Sequence, residues 1–310
     1  MRRSKLWAIT SYFDPFDTGH RLPVYREFRR RLTVPLVTVE LRLGGDFHLE
    51  PEEADILIRL GGGSVLWQKE RLLNLALRAL PPCVEAVAWL DCDVVFLRED
   101  WPDALLERLQ DFEMVQPFRR FYYQNRGQHL DDFPTSQDAA LESIAFQFTH
   151  GRLPEDAYQM PGMFRKLRYM SGAAWVARRE LLEAHGFYDT AVLGGGDKLM
   201  FSAAAGRYER IARWMSQPHQ SHFSDWAKPF ANSVKGRISY IEGDVVHLFH
   251  GDVGARHYPE RRVGFEKFQF DPQQDLAFTQ DGAWRWQNDK LGMQAYVREQ
   301  LWRLLPSAIV

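Results

Sequence analysis

The chain has 310 residues, 45% hydrophobic and 26% charged, with a formal net charge of −2. That is the composition of a globular protein with a large core, in one big domain or two fused halves, and the near-neutral balance gives no general electrostatic case for nucleic acid or an anionic membrane. Its two cysteines, Cys83 and Cys92, argue against a disulfide framework and do not have zinc spacing, which fits a reducing compartment.

Along the chain, Met1–Lys5 runs into only four apolar residues, Leu6–Ile9. This is too short for a signal-peptide core, and no later run is long enough to span a bilayer, so the sequence predicts a soluble, cytoplasmic protein. Leu6–Ile9 reads as a first strand and Thr10–Pro15 as the loop after it. A helix is expected over about Leu22–Leu32, with Glu27 and Arg29-Arg30-Arg31 on its solvated face. Leu36–Leu41 and Asp55–Leu60 read as further strands, and Gly61-Gly62-Gly63 breaks the chain. From Trp67 to Leu80, the residues Leu72, Leu73, Ala76, Leu77 and Leu80 recur at helical spacing, and Pro81-Pro82 stops the helix. Lys69 and Arg71 lie near its start, where a helix N-terminus also favours phosphate oxygens. Alternatively they are solvated surface.

The most informative stretch follows. Val84–Leu90 reads as a buried strand ending in Asp91-Cys92-Asp93, and Val94–Leu97 resumes the apolar run. Buried carboxylates are costly without a partner. A divalent cation is one such partner, since Mg²⁺ or Mn²⁺ takes carboxylate oxygens and keeps positions for phosphate. The carboxyl end of a strand is also where an open α/β sheet binds its ligand. By itself the acid-x-acid pair reads rather as a strand end whose acids cap the next turn, and it is the flanking sequence that changes the balance.

Asp100-Trp101-Pro102-Asp103 marks a helix start with Asp100 as the cap. Residues Arg119–Leu167 are polar, aromatic and broken by glycine and proline, and read as a long functional loop. Met170–Ala177 reads as a strand, Arg178–His185 as a helix closed by Gly186, and Asp197–Ala205 as a helix closed by Gly206. Gly194-Gly195-Gly196-Asp197 lets backbone approach a ligand. There Asp197 is either an N-cap or a carboxylate able to take an acceptor proton. Arg237–Ile241 and Val245–Phe249 read as a hairpin around Glu242-Gly243. In the second of these, His247 and His250 reach one ion only if the strand ends or bulges between them. Otherwise one is a core histidine and the other is exposed. Arg256, Arg261 and Arg262 follow in a loop with His257 and Tyr258, groups suited to a diphosphate. Arg262 reads rather as solvated surface. A last helix is expected over Lys290–Leu305. Aromatics make up 14% of the chain. Trp214, Trp226, Trp284 and Trp286 suit either a sugar face or the core.

Strands alternating with helices predict an α/β fold with a mostly parallel central sheet flanked by helices. The order of motifs adds a resemblance. Trp67–Asn74, the strand and Asp91-Cys92-Asp93 resemble the nucleotide half of the beta-1,4-galactosyltransferase and polypeptide N-acetylgalactosaminyltransferase group. Gly172–Arg179, Gly186–Asp189 and Gly194–Asp197 resemble the acceptor half of that group, and His247–Gly251 with Arg256 resembles its late metal-ligand segment. The chain as a whole looks like a bacterial, family-2-like GT-A (Rossmann-like) glycosyltransferase.

The resemblance implies a single domain: a nucleotide-sugar half over about residues 1–115, an acceptor half to about 262, and a C-terminal extension. It implies a nucleotide-sugar donor, usually a UDP-sugar, a glycan or other hydroxyl acceptor, Mn²⁺ or Mg²⁺, and an inverting mechanism. Asp93 would bind the ion, with His250 as a protein ligand and His247 as a possible second. Asp91 would hold ribose or bound water. Thr10, Tyr12, Phe13 and Asp55 would contact the nucleoside, Lys69 and Arg256 the diphosphate, and Asp197 would be the base. The galactosyltransferases carry a run of acids after their glycines, whereas here one acid is followed by Lys198-Leu199-Met200. A sugar-nucleotide-binding scaffold that has lost catalysis is therefore the second expectation. A sugar nucleotidyltransferase ranks last, because Thr10–Pro15 has neither the glycine nor the basic residue of a phosphate loop.

Overall fold

The computed structural model describes residues 4–130, 133, 140–154, 157, 167–251, 262, 264–287 and 289–305. Its main sheet contains β1 (Leu6–Phe13), β2 (Leu36–Arg42), β3 (Ile56–Gly61), β4 (Ala86–Leu90), β6 (Met114–Gln116), β10 (Ala174–Arg178) and β11 (Ile238–Tyr240). A second sheet contains β5 (Val94–Phe96), β7 (Arg120–Tyr123), β8 (Leu141–Ser143), β9 (Tyr169–Met170) and β12 (Asp244–His247), and a separate ribbon pairs β13 (Leu276–Phe278) with β14 (Trp284–Trp286).

The main sheet runs β11-β6-β10-β4-β1-β2-β3. Every neighbouring pair is parallel except the two made by β10. The fold is thus mixed α/β with a mostly parallel sheet, as the sequence predicts. Strand β4 shows why its run is unbroken by polar residues. Val87 and Trp89 enter one core layer, while Ala86, Ala88 and Leu90 enter the opposite one. Side chains alternate across a strand, so a strand covered on both faces must be apolar throughout. The helix Lys69–Arg78 covers the first face with Leu72, Leu73, Ala76 and Leu77. Each fully buried leucine there contributes about 1.5–3 kcal/mol.

Several boundaries differ from expectation. Strand β1 continues through Thr10–Phe13 because β2 supplies parallel partners as far as Phe13↔Leu41. Asp100 does not cap its helix, as its carboxylate is held by Arg98 at 2.5 and 2.8 Å. The Met170–Ala177 run is split between two sheets, with Ala173 at φ 75° between β9 and β10. The 119–167 stretch includes β7, β8 and the helix Ile144–Thr149 among its described residues.

The expected hairpin at Glu242-Gly243 is absent. Strand β11 lies parallel to β6 in the main sheet, and β12 lies parallel to β7 in the second. Both segments pass forward from one sheet to the other side by side, and the Gly243 carbonyl accepts from the amides of Arg119 and Arg120 at the crossing. This placement brings β12 to β5, immediately after Asp93.

Candidate active site

The candidate site residues gather where β4 ends. Cys92 turns into the core, where burial pushes its thiol up to about 12. Asp91 and Asp93 face the cavity beyond the strand end, which is also lined by Phe13, Trp67, Tyr123, Gly172 and Lys198.

Asp93 is held by the second sheet. The antiparallel register pairs His247 with Val94, and the Leu248 amide donates to the Asp93 carbonyl at 2.8 Å. Strand β12 ends at His247, so both histidines reach the same carboxylate. Asp93 Oδ2 lies 3.0 Å from His250 Nε2, 3.5 Å from His247 Nε2 and 3.2 Å from Arg21 Nη2. Of the two readings of these histidines, the structure has the one in which the strand ends and both converge, their rings stacked at 5.0 Å. Burial pushes the Asp93 carboxyl up, but His247, His250 and Arg21 outweigh it and hold it well below the usual carboxylate range.

Asp93 Oδ1 is buried and has no hydrogen-bond partner. One ligand atom from each of Asp93, His247 and His250 lies within 4.8 Å of the others. An orphaned carboxylate oxygen beside two imidazoles is a donor set that fits a divalent cation.

Asp91 belongs to a second cluster. Lys69, the first residue of its helix, places Nζ 2.6 Å from Asp91 Oδ1 and 2.7 Å from Asp197 Oδ2. The other Asp197 oxygen accepts from the Trp89 indole at 3.3 Å. Asp197 therefore does not cap its helix. Gly195 holds the cap position at φ 90°, and Asp197 lies inside the first turn. Gly172 leaves room for this carboxylate, since a Cβ there would sit 3.0 Å from Oδ2. Burial raises the Asp91 carboxyl to about 6 against the opposing pull of Lys69, with Asp197 and Asp93 adding to the rise. Burial alone would depress the Lys69 ammonium, but Asp197 and Asp91 hold it well above its ordinary value.

Other expected contacts lie elsewhere. Thr10 is fully buried and donates to the Leu90 carbonyl. Tyr12 is fully buried beneath the cavity edge, with its hydroxyl 3.0 Å from His48 Nδ1. Asp55 precedes β3, at the opposite end of the sheet, and takes the Leu36 amide and Arg29. None of these three lines the cavity, whereas Phe13 does. Arg71 turns away to the Gly282 carbonyl and Asp189. Arg262 is a cavity residue, bonded to the Gly194 carbonyl, rather than solvated surface. Arg256 and Arg261 lie outside the described residues.

Three contributors escaped the sequence reading: Arg21, Trp89 and Glu70. Arg21 directly precedes the first helix, at the ligand edge of the sheet, and that position is its only signal. Trp89 is two residues before Asp91, so strand alternation puts it on Asp91's face. Glu70 carries no signal of its own.

No known family and no curated protein matches this sequence. Among solved structures, S. aureus TarS residues 1–349 with UDP-GlcNAc matches at 12% identity and TM-score 0.42, over 97% of this chain and 72% of that one. Glucosyl-3-phosphoglycerate synthase from Mycobacterium tuberculosis, with Mn²⁺, UDP and phosphoglyceric acid, matches at 11% and 0.40, over 89% and 82%. The catalytic domain of Drosophila beta1,4-galactosyltransferase 7, with xylobiose, matches at 8% and 0.41, over 94% and 98%. At these scores the likeness carries no functional argument, and the assignment rests on the side chains.

Proposed function

We propose that the protein is a metal-dependent GT-A glycosyltransferase that moves a sugar from a nucleotide-sugar, a UDP-sugar in the first instance, to a hydroxyl acceptor with inversion. One observation carries the reading. A cation-competent Asp93–His247–His250 cluster and a paired Asp91–Lys69–Asp197 cluster share one cavity at the carboxyl end of β4. Asp93, His247 and His250 would hold the ion. Two nitrogen donors favour Mn²⁺ over Mg²⁺, which prefers oxygen ligands. The bound ion supplies positive charge to a departing diphosphate.

Arg21, on Asp93, and Lys69, on Asp91 and Asp197, add cationic charge to the cavity. Asp197 lies directly against Lys69, beside Gly172. In the transfer, Asp197 takes the acceptor hydroxyl proton as the acceptor oxygen bonds to the sugar C1. The bond from C1 to the diphosphate oxygen breaks, and its electron pair leaves on the nucleoside diphosphate. The acceptor is a carbohydrate or other hydroxyl compound.

A specific feature favours a second reading. Both Asp197 oxygens are already engaged, by Lys69 and by Trp89, as in a binding protein that has lost catalysis. Thermal melts with a panel of nucleotide-sugars, in Mn²⁺ or in EDTA, followed by a turnover assay with the stabilising donor, separate the two. A ligand selective for the folded state raises the melting temperature by mass action. A metal-dependent shift with turnover supports the transferase. A shift without turnover against any acceptor supports the scaffold, and no shift with any nucleotide-sugar refutes both.

A further inference from the structure

The Lys69 bridge joins the two ends of the proposed reaction, and its ammonium sits on the carboxylate proposed as the base. An ammonium at 2.7 Å occupies Asp197 Oδ2 and an indole at 3.3 Å occupies Oδ1, so an incoming hydroxyl has to share an oxygen with one of them. Lys69 itself is only 8% exposed, so its charge is balanced by Asp91 and Asp197 rather than by water. Its backbone is fixed as the first turn of a helix, whereas its side chain has four rotatable bonds. The ammonium can therefore change partners without any movement of the fold.

We propose that Lys69 is a latch: it occupies Asp197 until the donor's diphosphate draws the ammonium away, so that the base is released only when a donor is in place. The proposal rests on the glycosyltransferase reading and deepens it. Asp91 lies two residues from Asp93, so a diphosphate beside the Asp93 cluster approaches Lys69 from its Asp91 side. Phosphate oxygens compete well for an ammonium already shared between two carboxylates. As Lys69 turns toward them, Asp197 keeps only the Trp89 indole, which orients the carboxylate and leaves Oδ2 open beside Gly172. Acceptor activation without donor is suppressed by the same contact.

The test uses UDP and Mn²⁺ as probes. In a crystal structure of the wild-type protein with both bound, Lys69 Nζ should contact a phosphate oxygen and lie beyond hydrogen-bond reach of Asp197. If Nζ remains on both carboxylates with UDP bound, the latch is overturned while the glycosyltransferase reading survives. If calorimetry detects no binding of UDP or of any other nucleoside diphosphate in Mn²⁺, both are overturned. Lys69→Met should weaken UDP binding roughly tenfold to a hundredfold, the effect of one lost charged hydrogen bond, and Lys69→Arg should restore most of it. Should the unbalanced carboxylates unfold Lys69→Met, Lys69→Met with Asp91→Asn removes one charge and gives the same readout. Unchanged UDP affinity in a folded Lys69→Met protein refutes the latch.

Discussion

Glu70 offers the sharpest test of how charge is arranged behind the site. Its side chain is buried between the helices that carry Lys69 and Asp197, packed so closely on Gly196 that no Cβ fits there, and its Oε1 has no hydrogen-bond partner. Burial raises its carboxyl to about 8, against the pull of Lys69 and with a further push from Asp197 and Asp91. An acid whose folded pKa lies above its unfolded one binds its proton more tightly when folded, so stability falls as pH rises from about 4.5 to about 8. Across that window the cost is on the order of 5 kcal/mol.

Glu70→Gln cannot ionise and lacks this slope. The variant and wild type should be close in stability near pH 5, and the variant should gain progressively toward pH 8.5. The measurement is urea unfolding of both proteins at several pH values in a common ionic strength. A constant difference between them would mean that Glu70 is ionised in the folded protein at neutral pH. Lys69 would then be shared by three carboxylates rather than two, and a diphosphate would draw it away less readily.

Two substitutions test the chemistry directly. Asp93→Asn should abolish the metal-dependent stabilisation by UDP, which in the wild type amounts to about 2.7 kcal/mol at a ligand concentration of a hundred times Kd. It should also destabilise the protein by roughly 3–5 kcal/mol at neutral pH through loss of a buried charge partner. Because the Asp93 carboxyl is held low by its histidines and Arg21, that difference should shrink as pH falls below about 4. An unchanged UDP response in melting experiments would remove Asp93 from the ion site. Asp197→Asn should lower transfer by roughly a hundredfold to ten-thousandfold, the range of a general base, while UDP still binds in Mn²⁺. Near wild-type turnover in that variant would assign the base elsewhere.

What the sequence revealed and what it hid follow from the range of each interaction. The β4 run and its terminal acids were legible because strand burial and strand ending are local properties, written in consecutive residues. The helix Lys69–Arg78 was legible from its leucine spacing. The false hairpin shows the limit. Glu242-Gly243 looks like a turn, yet β11 and β12 go to different sheets because β6 and β7, more than a hundred residues earlier, supply their partners.

The site itself is a product of such distant pairings. His247 reaches Asp93 through the β12–β5 register, and Asp197 meets Lys69 from a helix 128 positions later in the chain. Neither contact has a spacing rule, so sequence could nominate these residues but not join them. Glu70, which has chemistry only through its neighbours, could not be nominated at all, and Arg21 only by its place before the first helix. The nucleoside contacts failed for a related reason. Thr10 and Tyr12 lie in a strand rather than the expected loop, because β2 extends β1 through both, and a strand covered on two faces buries residues that a loop would have offered to a ligand.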